Sequence, residues 1–157
     1  MSPITANSAF SGAGASFVAL QPSRIIVEEA TSAWINPVKR RLQELTLLPK
    51  GWDGYRGNPV LFDNAHFALL MLKRICPETT PAPQIVPGPD GDLQVEWHTA
   101  NRSLELHVKA PNEVVAWFSS PDQPHGIELE LTNDFLPVLD WVNQVLGEVT
   151  GVDAAAA

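Results

Sequence analysis

Between positions 84 and 131 apolar and polar residues alternate with a period of two, in short runs separated by turn-forming residues. Leu93, Val95 and Trp97 alternate with Gln94, Glu96 and His98, and Leu104, Leu106 and Val108 alternate with Ser103, Glu105 and His107. Successive side chains of a strand point to opposite faces, so the pattern predicts strands with one apolar and one polar face. Five such runs are present: Gln84 to Val86, Leu93 to His98, Arg102 to Lys109, Val114 to Ser119 and Ile127 to Leu131. Pro89-Asp90-Gly91, Ala100-Asn101 and Pro111-Asn112 are turn signals between them, which predicts an antiparallel meander. One run breaks the alternation. Val114-Val115-Ala116-Trp117-Phe118 is apolar on both faces, so its second face needs a helix, a subunit or a partner over it.

Elsewhere the apolar positions recur at helical spacing. Val38, Leu42 and Leu45 follow Asn36-Pro37, where Asn suits the cap and Pro the first turn, and predict a surface helix to about Leu47. Ala65, Phe67, Ala68, Leu69, Leu70, Met71, Leu72 and Ile75 are apolar around most of a helix, which predicts a central element buried on several sides. Asp63 is its expected cap, Phe62 packing on Phe67 its expected staple, and Cys76-Pro77 its end. Phe135, Val138, Leu139, Trp141, Val142, Val145 and Leu146 predict a last helix from about Asp134 to Leu146, capped by Thr132 or Asn133 and stopped by Gly147. A further helix is expected over residues 24 to 34. The chain is therefore expected to be α+β, a four- to five-stranded antiparallel meander packed by two or three helices. Its single domain is expected to span residues 24–148, between a disordered arm over 1–23 and a frayed tail over 149–157.

At 157 residues the chain is long enough to bury one core without disulfides. Cys76 is its one cysteine, which favours a reducing compartment and predicts a cytoplasmic protein. The first 23 residues carry no charge, yet they lack the basic start and continuous apolar stretch of a secretory signal. No apolar run approaches the roughly 20 residues of a membrane span. The net charge of −8 is unevenly placed: residues 90 to 134 hold nine acids against Arg102 and Lys109. Residues 1 to 60 hold six bases against four acids. Phosphate backbones are repelled by such an acidic segment, which argues against direct nucleic-acid binding.

A two-residue turn at Ala100-Asn101 sets Trp97 opposite Leu104, Glu96 opposite Glu105 and Gln94 opposite His107. Neighbouring carboxylates destabilise a sheet unless solvated or paired, and two close carboxylates can divide acid and base roles. Glu96, Glu105 and His107 are thus one candidate constellation. The plainer reading leaves the glutamates in water or paired with a diagonal His, Lys109 or Arg102. The four histidines show no metal-ligand spacing, there is no second cysteine, and no phosphate-loop, dinucleotide or nucleophile-elbow signature occurs, so no cofactor is expected. Cys76 and His66 stand ten residues apart on one helix, roughly 15 Å by helical rise, too far to act as nucleophile and base. The second candidate is the loop Leu48 to Pro59, where Trp52 and Tyr55 flank Asp53. These aromatics either close the bottom of the core, as their large area favours, or offer themselves to a flat ligand or a partner protein.

Leu48-Pro49-Lys50-Gly51-Trp52-Asp53-Gly54-Tyr55, then Pro59, an apolar helix and Pro87-Gly88-Pro89-Asp90-Gly91-Asp92-Leu93-Gln94-Val95-Glu96-Trp97, resemble a group of small bacterial and phage or plasmid-borne proteins of unestablished activity. The resemblance covers about residues 47 to 110. It implies a prokaryotic or mobile-element origin and carries over no catalytic residue. Arg56 and Asn58 stand where that group more often has small residues, and the N-terminal arm lies outside the match.

These features lead to an expected non-enzymatic, acidic protein-binding regulator or inhibitor of the antitoxin, immunity-protein or phage-antagonist type. Its expected contacts to a basic partner surface are Glu96, Glu105, Glu128 and Glu130, with Trp52, Asp53 and Tyr55. A sharper version has the carboxylate row imitate nucleic-acid phosphates. Two rivals belong to other classes. One is a small-ligand binder or hydrolytic enzyme using Glu96, Glu105 and His107 or the Trp52 loop; the other is a homodimer resembling a secretion chaperone.

Overall fold

The structure, a computed structural model, describes residues 32–155, with side chains through residue 148. The expected arm over residues 1–23 and the expected helix up to residue 31 lie outside the described residues. The chain is α+β: α1 (Ile35–Thr46), α2 (Phe62–Ile75), β1 (Gln84–Pro87), β2 (Leu93–His98), β3 (Ser103–Ala110), β4 (Glu113–Ser120), β5 (Gln123–Leu131) and α3 (Leu136–Ala155). The strands form one sheet in the order β1-β2-β3-β4-β5, every neighbouring pair antiparallel. This is the five-stranded meander that the alternation predicts.

The register follows from the turns and the inner face. Ala100-Asn101 pairs Trp97 with Leu104, Glu96 with Glu105 and Gln94 with His107, as expected for a two-residue connection. Between β3 and β4, Asn112 takes a φ of 63°, a left-handed conformation that Asn tolerates better than most residues. Leu93, Val95, Leu104, Leu106 and Val108 are all fully buried on the inner face. A slip by one residue would turn each into water at a cost of roughly 1.5–3 kcal/mol apiece, more than a half-solvated polar face can return.

All three helices pack on that inner face. Val38, Leu42 and Leu45 of α1, Ala68, Met71 and Leu72 of α2, and Val138, Trp141 and Val142 of α3 share one core with the inward strand residues. Phe118 of β4 stacks on Trp141 of α3 at 5.2 Å between ring centroids. Of the covers that the doubly apolar run allows, a helix lies over one face of β4 only, among the described residues. Ala116 and Phe118 face the core and are buried, whereas Val115 and Trp117 face away and stay half-buried.

Several helix ends differ from expectation for local reasons. α1 begins at Ile35 after Trp34, which is buried and donates its indole N–H to the Pro77 carbonyl at 3.1 Å, so Asn36 falls inside the helix. α2 begins at Phe62, so Asp63 lies in the first turn and not at the cap. Phe62 is exposed and stacks on His66 at 6.0 Å, while Phe67 meets Phe135 edge-on at 6.1 Å, so the expected staple does not form. α2 is central in that it meets α1, α3 and β3, but Leu70 on its far side is exposed. At α3 the capping oxygen comes from Asp134, whose Oδ1 accepts the Leu136 N–H at 3.0 Å. The α3 backbone continues past Gly147. Just beyond that point Glu148 ties the helix to Arg102 and Thr99 at the β2–β3 turn.

One polar side chain crosses the core boundary. Asn64 of α2 is 2% exposed, and its Nδ2 donates to the Gly91 carbonyl at 2.8 Å and the Lys109 carbonyl at 3.3 Å. It holds α2 to the β1–β2 turn and to the end of β3. Replacing Asn64 by Leu keeps the branched heavy-atom skeleton and removes both donors. The variant is expected to lose about 1–3 kcal/mol of stability, read as a lower urea midpoint at unchanged slope; an unchanged midpoint would show that the two bonds carry no weight.

Candidate functional site

The outer face of the sheet collects the acids that the alternation places there. Cα partners run Glu96 to Glu105, Glu105 to Trp117, and Trp117 to Glu128, so four side chains stand in one row across β2 to β5. The next row runs Gln94, His107, Val115, Glu130. Glu96, Glu105, Glu128 and Glu130 thus share a face on which no helix of the described residues packs. The alternation alone predicts this grouping.

Hydrogen bonds then separate the acids into committed and uncommitted groups. Glu96 Oε2 lies 3.0 Å from His98 Nε2, whose Nδ1 lies 3.0 Å from Ser103 Oγ. Glu105 Oε2 accepts a bond from Gln94 Nε2 at 2.7 Å. His107 Nε2 lies 2.5 Å from Asp92 Oδ2. The facing carboxylates Glu96 and Glu105 are therefore held by different partners, the first by a histidine on its own strand and the second by a diagonal glutamine. Arg102 serves neither, because its guanidinium is paired with Glu148 of α3. The carboxylates of Glu128 and Glu130 have no hydrogen bond or ion pair among the described residues.

The proton affinity of Asp92 is lowered. Burial pushes its carboxyl up, but the His107 bond and the Asp90 and Asp92 backbone N–H groups outweigh that and leave it below its ordinary value of 3.8. Among the described residues no three His, Cys, Asp or Glu side chains converge so as to hold a metal ion.

Trp117 forms the apolar centre of the outer face. A Cβ on Gly126 would lie 2.3 Å from its Nε1 and 2.4 Å from its Cε2, so the indole packs directly against the β5 backbone. Gly126 also has a φ of +76°, where side chains are strained. The indoles of Trp34, Trp52 and Trp97 donate to the carbonyls of Pro77, Asn58 and Pro81. Trp117 finds no such acceptor among the described residues, and its N–H is not sealed from solvent. Gln94, Glu105, His107, Val115, Trp117 and Glu128 line an open depression of about 340 Å³ over it. Sequence reasoning names Glu105 and Glu128 and passes over Trp117, although the doubly apolar run at Val114 to Phe118 is the signal that marks it.

The Trp52 loop is a separate feature. Asp53 Oδ1 accepts the backbone N–H of Tyr55 and of Gly57, both at 2.9 Å, and these bonds lower its proton affinity. Trp52 folds back to donate to the Asn58 carbonyl at 2.8 Å, and Tyr55 is 87% exposed. The expectation that both aromatics close the core is corrected, since neither belongs to it. The loop instead docks on the β1–β2 turn through Asn58 N–H to the Pro89 carbonyl at 2.8 Å. A second depression of about 370 Å³ is lined there by Asp53, Tyr55, Arg56, Gly57, Pro89 and Asp90, and it shares no residue with the one over Trp117. Trp52, Asp53 and Tyr55 are thus not brought into one site with the glutamates. Cys76 lies at the end of α2, where burial pushes its thiol up to about 12 and keeps it neutral. The chain matches no family model, no curated protein and no solved structure.

Two outcomes follow from this geometry. Asp92 is easier to ionise in the folded chain than in the unfolded one, so its stabilisation is present above the ordinary carboxylate range and lost as pH falls through the folded value. The stability gap between the wild type and Asp92→Asn is expected to narrow between about pH 5 and pH 2 in thermal unfolding. A constant gap there would contradict the pairing. Gly126→Ala is expected to push Trp117 off β5, costing about 1–3 kcal/mol and red-shifting tryptophan emission; unchanged emission would contradict the contact.

Proposed function

We propose that this chain is a non-enzymatic, acidic protein-binding regulator or inhibitor of the antitoxin, immunity-protein or phage-antagonist type, working in the cytoplasm. It engages a basic patch on its partner through the outer face of the sheet. The observation that carries this reading is the grouping of Glu96, Glu105, Glu128 and Glu130 around half-buried Val115 and Trp117, on a face without a helix among the described residues.

An aromatic centre with a charged rim is the composition of a protein-binding surface: the aromatic residue anchors, and the rim charges steer approach and reject wrong partners. Two copies of such a face repel each other, so it suits a basic partner better than a second copy of itself. The enzymatic reading requires Glu96, Glu105 and His107 to act together. Each is held separately, by His98, Gln94 and Asp92. The nucleic-acid mimic is weakened by the uneven spacing of the free acids, since Glu128 and Glu130 lie on one strand and Glu96 and Glu105 are already bonded.

The test is affinity capture from a lysate of the source cells, comparing the wild type with Glu105→Lys/Glu128→Lys/Glu130→Lys after circular dichroism shows both folded. One stoichiometric partner, eluted by raised salt and lost from the triple variant, is the expected result. A partner retained equally by both proteins, or none retained by either, would overturn the reading.

A further inference from the structure

We infer, building on the binding reading above, that the depression over Trp117 is an arginine seat. It takes the guanidinium of one arginine on the basic partner, stacked on the indole and bracketed by the carboxylates of Glu105 and Glu128.

The sheet register builds this seat. Glu105 and Glu128 are the two cross-strand neighbours of Trp117 on the same face, one on β3 and one on β5. Adjacent strands lie about 4.8 Å apart, so a carboxylate stands on each side of the ring at a distance that a planar cation can bridge. Gly126 lets the indole lie down against β5, because any side chain there would occupy its place. Val115, in the next row of the same strand, supplies an apolar wall for the methylenes of an incoming side chain.

Charge selects the occupant. The acids around the rim differ in what already holds them: Asp92 has His107, and Glu96 has His98. Glu105 has one oxygen fixed by Gln94, which orients the carboxylate and leaves the other oxygen to accept. The Glu128 carboxylate has no partner among the described residues. Both acids flanking the aromatic ring thus have acceptors to spare, as does Glu130 in the next row. A cation placed there meets an aromatic face below and unpaired carboxylate oxygens beside it, which suits an ammonium or a guanidinium. Arginine is favoured over lysine because its plane stacks on the indole, its fork meets a carboxylate with two bonds, and it gives up hydration more readily.

The test titrates the intact, nitrogen-15-labelled protein with the peptide Gly-Gly-Arg-Gly-Gly, with its lysine counterpart, and with its citrulline counterpart, which keeps the shape without the charge. The indole N–H signal of Trp117, assigned by its loss in Trp117→Phe, is expected to move saturably with the arginine peptide. The lysine peptide is expected to bind about five-fold more weakly and the citrulline peptide not at all. Glu128→Gln and Glu105→Gln are each expected to weaken the arginine peptide several-fold, with the signals of Trp34 and Trp97 unmoved as a check on folding. Equal binding of lysine and arginine, binding of citrulline, or shifts confined to Trp52 would overturn the seat. The two proposals fail separately. Capture that depends on the acidic face while Trp117 ignores the arginine peptide removes the seat alone. Selective arginine binding at Trp117, together with capture indifferent to charge reversal, keeps the seat and removes the partner reading.

Discussion

Three helices bury their apolar stripes against one face of a five-stranded sheet, and the second face is left without a cover among the described residues. An antiparallel meander needs only short turns between neighbours, so no crossover helix is carried to the far side. The consequence reaches every strand. Inward positions are fixed by close packing, with Leu93, Val95, Leu104, Leu106 and Val108 fully buried, whereas outward positions carry no helix among the described residues and are open to selection for another purpose. Solubility alone is served by any polar residue there. It does not account for a half-buried tryptophan seated on a glycine between two glutamates.

A second constraint ties the irregular part of the chain to the regular part. The loop that carries Trp52 and the turn at Pro89-Asp90-Gly91 are distant in sequence, but Asn58, Leu61 and Asn64 all bond to carbonyls of that turn. Asp92, one residue further on, reaches over the sheet to His107. Residues 48–59 and 87–97 thus form one contiguous corner. That corner orders the β1–β2 connection, and through it the Gln94 and Glu96 end of the acidic face.

The strands, their order and the β2–β3 register were legible because each rests on local rules: period-two alternation, Gly, Pro and Asn turns, and a two-residue connection. The grouping of the four glutamates was legible for the same reason. What escaped the sequence depends on packing between distant segments. Whether Val115 and Trp117 lay under a helix could not be read from β4, since it turned on which face α3 chose. Phe62 and Phe67 had the spacing of a staple, but Phe135 drew Phe67 inward and left Phe62 with His66. Gly147 had the identity of a helix stop, yet the bond from Glu148 to Arg102 lies beyond it in the continuing helix. Gly126 and Gln94 gained their meaning only from the indole and the carboxylate beside them.

The central claim is that the outer face of the sheet, centred on Trp117, is where this protein meets its partner. Hydrogen–deuterium exchange of the chain alone and in complex with a captured partner tests it most directly. The account predicts added protection on β2 to β5, greatest around Glu105, Trp117 and Glu128. Protection confined to α1 and α2, or only at the Trp52 loop, with the sheet unchanged, would contradict it.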